Sequence, residues 1–194
     1  MRTSPILLLS LVLGALSAAP LTANAGEVKR LKGSGSGSGN DDVGGPGNDD
    51  ALTIAGDLDL IVPLQNAAAF ADTSIGFGFS GRVGWRLRAG SAFVLPEVSA
   101  GLQAFPNDSN FMLLRGMAGA RLGVRGKIQP QLLAHVGYGG SSSGYSGLAY
   151  DVGGALDVHQ RKVTFGLHAT YNGLLDDAAS LSWFDIGPNI SFEL

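Results

Sequence analysis

The chain has 194 residues, with 13 Lys and Arg against 16 Asp and Glu and a formal net charge of −3. It has no cysteine, which excludes disulfides, thiolate metal sites and a lipidated N-terminal cysteine. The mild acidic excess gives no reason to expect nucleic-acid binding. No segment after residue 25 approaches the roughly 18 consecutive apolar residues of a transmembrane helix.

Residues 1–25 read as a secretory signal peptide. Arg2 supplies the positive start, Ile6 to Ala18 the apolar core, and Ala23-Asn24-Ala25 an A-x-A cleavage site. The alternative is an uncleaved anchor. The small residues at the cleavage site and the lack of basic residues between Arg2 and Lys29 favour cleavage. Residues 26–50 form a separate region, expected to be a flexible periplasmic linker. Gly33 to Gly39 alternates Gly and Ser, and Asn40-Asp41-Asp42 recurs as Asn48-Asp49-Asp50. Gly44-Gly45-Pro46-Gly47-Asn48-Asp49 resembles one turn of a calcium-binding glycine/aspartate repeat. Two imperfect turns cannot stack a core, so no metal site is expected there.

From residue 51 onward apolar residues alternate with polar or small ones. Ile75, Phe77, Phe79, Val83, Trp85 and Leu87 share one parity; Gly76, Gly78, Ser80, Arg82, Gly84 and Arg86 share the other. A period of two is the signature of a β-strand, whose successive side chains point to opposite faces. The polar face consists largely of Gly and Ser with isolated charges. Glycine weakens a strand, so a water-facing surface has little use for it. A crowded polar interior does, which makes the apolar face the outside, as in a barrel that sits in a membrane.

Parity predicts eight strands. The first four cover about residues 53–64, 73–88, 92–104 and 112–124, and the last four about 128–138, 146–159, 162–172 and 183–194. Each matches or slightly exceeds the roughly 9–11 residues a tilted strand needs to cross hydrocarbon. Ala89-Gly90, Arg125–Lys127 and Gln160-Arg161 are expected as tight turns after even strands. Gln65–Asp72, Phe105–Asn110, Gly139–Gly144 and Gly173–Leu181 are the longer connections after odd strands. Tyr138, Tyr150, Tyr171 and Phe184 then lie near one rim, and Trp85, Phe165 and Phe192 near the other, as two aromatic girdles. Pro63, Pro96, Pro130 and Pro188 fall inside strands, and each removes a possible ladder donor.

This strand pattern resembles the small outer-membrane β-barrel group that includes the OmpA transmembrane domain and OmpX-like proteins. The phrases Pro96-Glu97-Val98-Ser99-Ala100-Gly101 and Asp151-Val152-Gly153-Gly154-Ala155 and the alternating last strand carry the resemblance, over about residues 51–194. It implies an all-β, eight-stranded antiparallel up-and-down transmembrane β-barrel in the outer membrane, with both termini periplasmic. The implied partners are outer-membrane lipid, lipopolysaccharide and the barrel-insertion machinery. Chains of the group usually end in an aromatic residue, whereas this one ends Phe192-Glu193-Leu194. No catalytic motif is shared, so the resemblance carries a fold and a compartment, not an activity.

The inward charges are the candidate site. Asp57, Asp59, Arg82, Arg86, Glu97, Arg115, Arg121, His135, Asp151, Asp157, His168 and Asp185 all take the interior parity. Buried charges need partners, so they are expected to form a paired, water-threaded plug in a lumen that side chains fill. A two-residue turn Ala89-Gly90 predicts Arg82 directly opposite Glu97 and an ion pair between them. A narrow ion path is the functional alternative. His168-x-Thr170-x-Asn172 is the one hydrolase-like spacing, but a lipid-acting enzyme needs its nucleophile at the lipid surface, and these residues point inward. His159 is expected in a turn, solvated. Asp176 and Asp177 are too few to specify a cation site. The expected function is a structural role in the envelope with no catalysis and no cofactor. Surface adhesion through Gln65–Asp72 and Gly173–Leu181 is the second reading, and a soluble barrel with an apolar ligand cavity inverts the faces.

Overall fold

A computed structural model describes residues 50–64, 75–106, 111–177 and 180–194. The signal peptide and nearly all of the 26–50 linker lie outside the described residues, as do 65–74, 107–110, 178 and 179. Eight strands run in chain order: β1 (Ala51–Pro63), β2 (Gly76–Ala89), β3 (Ala92–Phe105), β4 (Phe111–Val124), β5 (Ile128–Ser141), β6 (Ser146–Gln160), β7 (Val163–Leu175) and β8 (Ser180–Glu193). Every strand pairs antiparallel with its sequence neighbours, and β8 returns to β1, closing the barrel. No helix among the described residues is long and apolar enough to cross a membrane.

Alternation dictates the two faces. Along β1, Ile54, Leu58, Leu60 and Val62 are exposed, while Thr53, Ala55, Asp57, Asp59 and Ile61 are buried. The same switch runs through β2, where Phe77, Phe79, Val83, Trp85 and Leu87 face out and Arg82 and Arg86 face in. Tyr150, Tyr171 and Phe184 stack in sequence across β6, β7 and β8, with ring centroids 6.2 and 5.6 Å apart. Gly173, opposite Tyr150, has no side chain because a Cβ there would enter the Tyr150 ring.

The prolines sit where the ladders stop. Pairing of β2 with β3 skips Trp85 and Arg86 opposite Pro96 and Leu95, and pairing of β1 with β8 skips Leu58 and Asp59 opposite Pro188 and Gly187. Pro130 and Pro63 lie beyond the last paired residues of β4–β5 and β1–β2. Each proline therefore falls beside an interruption or an end, where its missing N–H costs no ladder bond.

Two turns differ from the sequence expectation. Ala89 pairs with Ala92, so the β2–β3 turn is Gly90-Ser91, not Ala89-Gly90. Gly90 has φ 59°, the left-handed geometry that a two-residue hairpin assigns most cheaply to glycine. This shifts the register by two: Arg82 lies opposite Ser99, and Glu97 opposite Gly84. The β6–β7 turn is Arg161-Lys162, not Gln160-Arg161, because Gln160 still pairs with Val163. β5, β7 and β8 also run further than parity indicated, so most of Gly173–Leu181 is strand and not loop.

The lumen holds a second surprise. One end is apolar, although its residues have the inward parity. Ile61, Phe105, Phe111, Leu113, Met117, Ala149, Leu174, Leu181 and Trp183 form a buried cluster with Tyr145 packed against it. Phe105 meets Phe111 at 5.4 Å and Trp183 at 6.3 Å between ring centroids. The cluster lies at the end of the barrel carrying the longer connections, since it draws on the ends of β1, β3 and β7 and the starts of β4 and β8.

Glycines set the width available inside. A Cβ on Gly119 would run into the Ala134 carbonyl and the His135 ring, whereas one on Gly81 would meet nothing within 4 Å. Gly119→Ala is expected to destabilise the barrel by about 1–3 kcal/mol, the usual cost of overpacking. Gly81→Ala should be neutral or slightly stabilising, by up to about 1 kcal/mol. Urea unfolding of the two variants in lipid vesicles checks this ordering.

Candidate functional site

The candidate site is the lumen. From β2 to β5 its central level alternates small and large side chains, with Gly84 opposite Glu97, Glu97 opposite Gly119 and Gly119 opposite His135; at β5–β6 two large ones meet, His135 opposite Asp151. A Cβ on Gly84 would come within 2.8 Å of the Glu97 Cβ. Small residues on alternate strands thus make room for long charged ones within a narrow barrel.

A continuous chain of charge-assisted bonds spans β1 to β6 at this level. Arg82 grips Asp57 with two parallel bonds, Nε to Oδ2 at 2.6 Å and Nη2 to Oδ1 at 2.7 Å. Its Nη1 donates to Glu97 Oε2 at 3.0 Å. Arg121 Nε donates to Glu97 Oε1 at 2.6 Å. His135 joins Glu97 Oε1 through Nε2 at 2.8 Å and Asp151 Oδ1 through Nδ1 at 2.6 Å. Glu97 is therefore the hub, 5 % exposed and touched by two guanidiniums and an imidazole. The Arg82–Glu97 pair forms even though the two residues are diagonal neighbours and not directly opposed. The arginine side chain spans the extra two residues of register.

His135 has a carboxylate on each ring nitrogen. A neutral imidazole offers only one N–H, so both contacts are hydrogen bonds only if two protons are shared among the ring and its two carboxylates. On the apolar-cap side of this level, His168 Nε2 meets Asp59 Oδ1 at 2.8 Å. Asp185 accepts from Gln103 Nε2 at 2.9 Å and lies 3.6 Å from Arg115 Nη2. Arg115 also donates to Asn172 Oδ1 at 2.6 Å and lies 5.1 Å from the Trp183 ring centroid, linking the charges to the apolar cap. Toward the short turns, Asp157 accepts from Gln131 and Asn189. Arg86 and Arg88 both reach Glu193, at 2.8 and 2.7 Å, and the Arg86 guanidinium stacks 4.3 Å above Phe93.

A cavity of about 50 Å³ lies between these groups, lined by Asp57, Asp59, Arg82, Arg115, Arg121, His135, Asp151, His168 and Asp185 among others. Arg115 Nε, His168 Nδ1 and Asp185 Oδ1 are buried and bond to no described residue. A polar cavity of this size, beside such atoms, has room for a few bridging waters. No cluster of His, Asp or Glu among the described residues has the geometry to hold a metal ion.

Every residue named from the sequence lies in the lumen, but in separate groups. Asp57, Arg82, Glu97, Arg121, His135 and Asp151 share one network; Asp59 and His168 form a pair; Arg115 and Asp185 form another group; Arg86 and Asp157 stand nearer the short turns. The polar residues that complete these groups are Gln103, Gln129, Gln131, Asn172, Asn189 and Glu193. Their inward parity was visible; the five amides carry no charge to mark them, whereas Glu193 does and is absent from the candidate set. His159 differs from expectation: it lies in β6, half-buried, with Nδ1 2.8 Å from Thr164 Oγ1. The His168-x-Thr170-x-Asn172 spacing yields no acid–base relay. Asn172 donates to Thr170, and His168 turns to Asp59.

Glu97→Gln should cost about 3–5 kcal/mol, because it strands buried guanidinium charge. Combining it with Arg82→Gln should cost less than the sum of the two single changes. A double-mutant cycle read by urea unfolding checks the coupling.

No protein-family model matches the chain, and no curated protein matches it. Solved structures do resemble it. Neisserial surface protein A is 12 % identical, with a TM-score of 0.49 over 75 % of this chain and 96 % of its own. The outer membrane enzyme PagL is 12 % identical, with a TM-score of 0.47 over 75 % of this chain and 100 % of its own. Ail, the attachment invasion locus protein of Yersinia pestis, is 14 % identical, with a TM-score of 0.41 over 74 % of this chain and 97 % of its own.

Proposed function

We propose that this chain is a small integral outer-membrane β-barrel of the OmpA/OmpX-like group, with a structural role in the envelope and a lumen closed by its own side chains. The observation that carries this reading is the inversion of the faces. Leu58, Phe77, Phe79, Val98, Leu114, Leu132, Leu156 and Leu167 are all exposed, while the charged residues are inside. Such a surface is untenable in water and fits hydrocarbon. Closure leaves no unpaired edge, the other requirement of a sheet in lipid. The signal peptide supports export, and the short turns and both ends of the barrel at one rim support periplasmic termini.

Three features support a role without catalysis or conduction. The lumen charges are engaged with one another. The apolar cap seals one end with fully buried Phe105, Phe111, Leu181 and Trp183. Both lumen histidines are turned to carboxylates and away from the lipid face. Outer-membrane lipid, lipopolysaccharide and the barrel-insertion machinery are the partners this reading implies.

The protein should fractionate with the outer membrane and migrate faster on gels before boiling than after. Recovery in the soluble periplasmic fraction would contradict the reading. Leu167→Arg should destabilise the barrel by about 2–4 kcal/mol if the residue lies near the bilayer midplane, measured by unfolding from vesicles. Planar-bilayer recordings should show no resolved conductance steps; clear single-channel steps would replace the plug with an ion path. A deletion strain should show its defect under detergent and osmotic stress.

A further inference from the structure

The cations inside the barrel are matched by acids, but those on its surface are not, and they gather at one rim. Arg125 and Lys127 occupy the β4–β5 turn, and Arg161 and Lys162 the β6–β7 turn. Lys127, Arg161 and Lys162 are exposed, and none of the four is paired with a carboxylate among the described residues. Arg125 is tied down at its rim: its backbone N–H donates to Ser91 O at 2.8 Å, and its Nη1 to Gly90 O at 2.9 Å, joining two neighbouring turns. Arg161 holds φ 57°, the one left-handed non-glycine residue described. Glycine or asparagine takes that conformation at lower cost, so Arg161 carries backbone strain at the turn where its side chain is exposed.

The opposite rim differs: its described residues 64, 75, 106, 142–145, 176 and 177 include no Lys or Arg, and Asp176 and Asp177 stand there. Just inward of the basic rim, Trp85, Phe165 and Phe192 face outward and are exposed. Phe192 pairs with Val163, the residue next to the Arg161-Lys162 turn. Aromatic rings at this depth, with cations immediately beyond them, match the carbonyl and phosphate layers of a lipid headgroup region.

We propose that the basic rim binds the headgroups of net-anionic glycerophospholipids in the leaflet on the short-turn side. This rests on the membrane-spanning reading above and adds a lipid preference and a sidedness to it. Phosphodiesters without a compensating ammonium attract unpaired Lys and Arg more strongly than zwitterionic ones. Among its described residues the opposite rim offers no Lys or Arg to phosphate.

The test uses the full chain in nanodiscs of equal phosphatidylglycerol and phosphatidylcholine, followed by native mass spectrometry of the lipids that remain bound. Wild type should retain phosphatidylglycerol in at least about threefold excess at low salt, and lose the excess in 0.5 M NaCl, since Debye screening weakens exposed charge contacts. The combined variant R125Q/K127Q/R161Q/K162Q should retain both lipids equally. Equal retention by wild type overturns the proposal. So does an undiminished preference in the variant, which would move lipid binding to Lys29, Arg30 and Lys32. Co-sedimentation with purified peptidoglycan, lost in the variant and unaccompanied by lipid preference, overturns it in favour of a cell-wall partner. Insertion is scored separately by heat-modifiable migration. Wild type that does not insert contradicts the membrane reading and the lipid preference with it; inserted wild type without preference contradicts only the preference. If the variant does not insert, the wild-type salt comparison decides.

Discussion

The closing ladder between β1 and β8 is the constraint on which the rest of the structure depends. An outer face of Leu, Phe, Val and Ile suits hydrocarbon, and in hydrocarbon every backbone polar group must be satisfied within the sheet. Closure meets that demand, from Thr53 opposite Glu193 to Pro63 opposite Trp183. Beyond the strands the seam continues through Leu194 N–H to Leu52 O and Leu64 N–H to Ser182 O. The prolines show how tightly the sequence obeys this rule. Each stands where a ladder is already interrupted or finished, so none strands an acceptor in the middle of a paired run.

Closure with only eight strands makes the interior narrow, and narrowness determines the chemistry inside it. Glycines at 84 and 119 stand beside Glu97 and His135 and leave them room, while elsewhere large inward groups face each other directly and bond, as His135 does with Asp151. Once charges occupy such a space they must neutralise one another, and the bonds from Asp57 through Glu97 to Asp151 do so. This network is not to be counted as net stabilisation, since burying ions costs roughly what pairing them returns. Its effect is specificity: Glu97 serves three partners on three strands, and a slipped register would leave several charges unmatched. The apolar cap closes the other end by ordinary packing. Arg115 joins the two regimes by reaching Asn172 and Asp185 while lying against Trp183.

Most of the architecture was legible in the residues because a two-residue period reports face directly. Strand number, the inside and outside sets and every lumen charge follow from parity. Depth does not. Ile61, Phe105, Leu113 and Trp183 have the inward parity but are apolar, and only the assembled barrel shows that they meet at one end. Register was the other gap. Parity tolerates an error of two, and placing the turn at Ala89-Gly90 in place of Gly90-Ser91 left both faces correct while misaligning Arg82 and Glu97. The pair survived because arginine is long. A shorter cation at residue 82 would have made the same error costly. Any activity is illegible for a physical reason: the titratable side chains of the lumen are turned to one another, and the strand pattern encodes an environment, not a substrate.

The central claim is that the apolar face meets lipid and the polar face lines the lumen. The chain lacks cysteine, so single cysteines at Phe79, Leu167, Gly78 and His168 can each carry the only thiol. Each inserted barrel is exposed to a lipid-soluble maleimide in intact vesicles, and the rate of labelling is measured. Fast labelling at 79 and 167 with slow labelling at 78 and 168 is the expected result. The opposite order would mean that the barrel is inside out and the membrane account wrong.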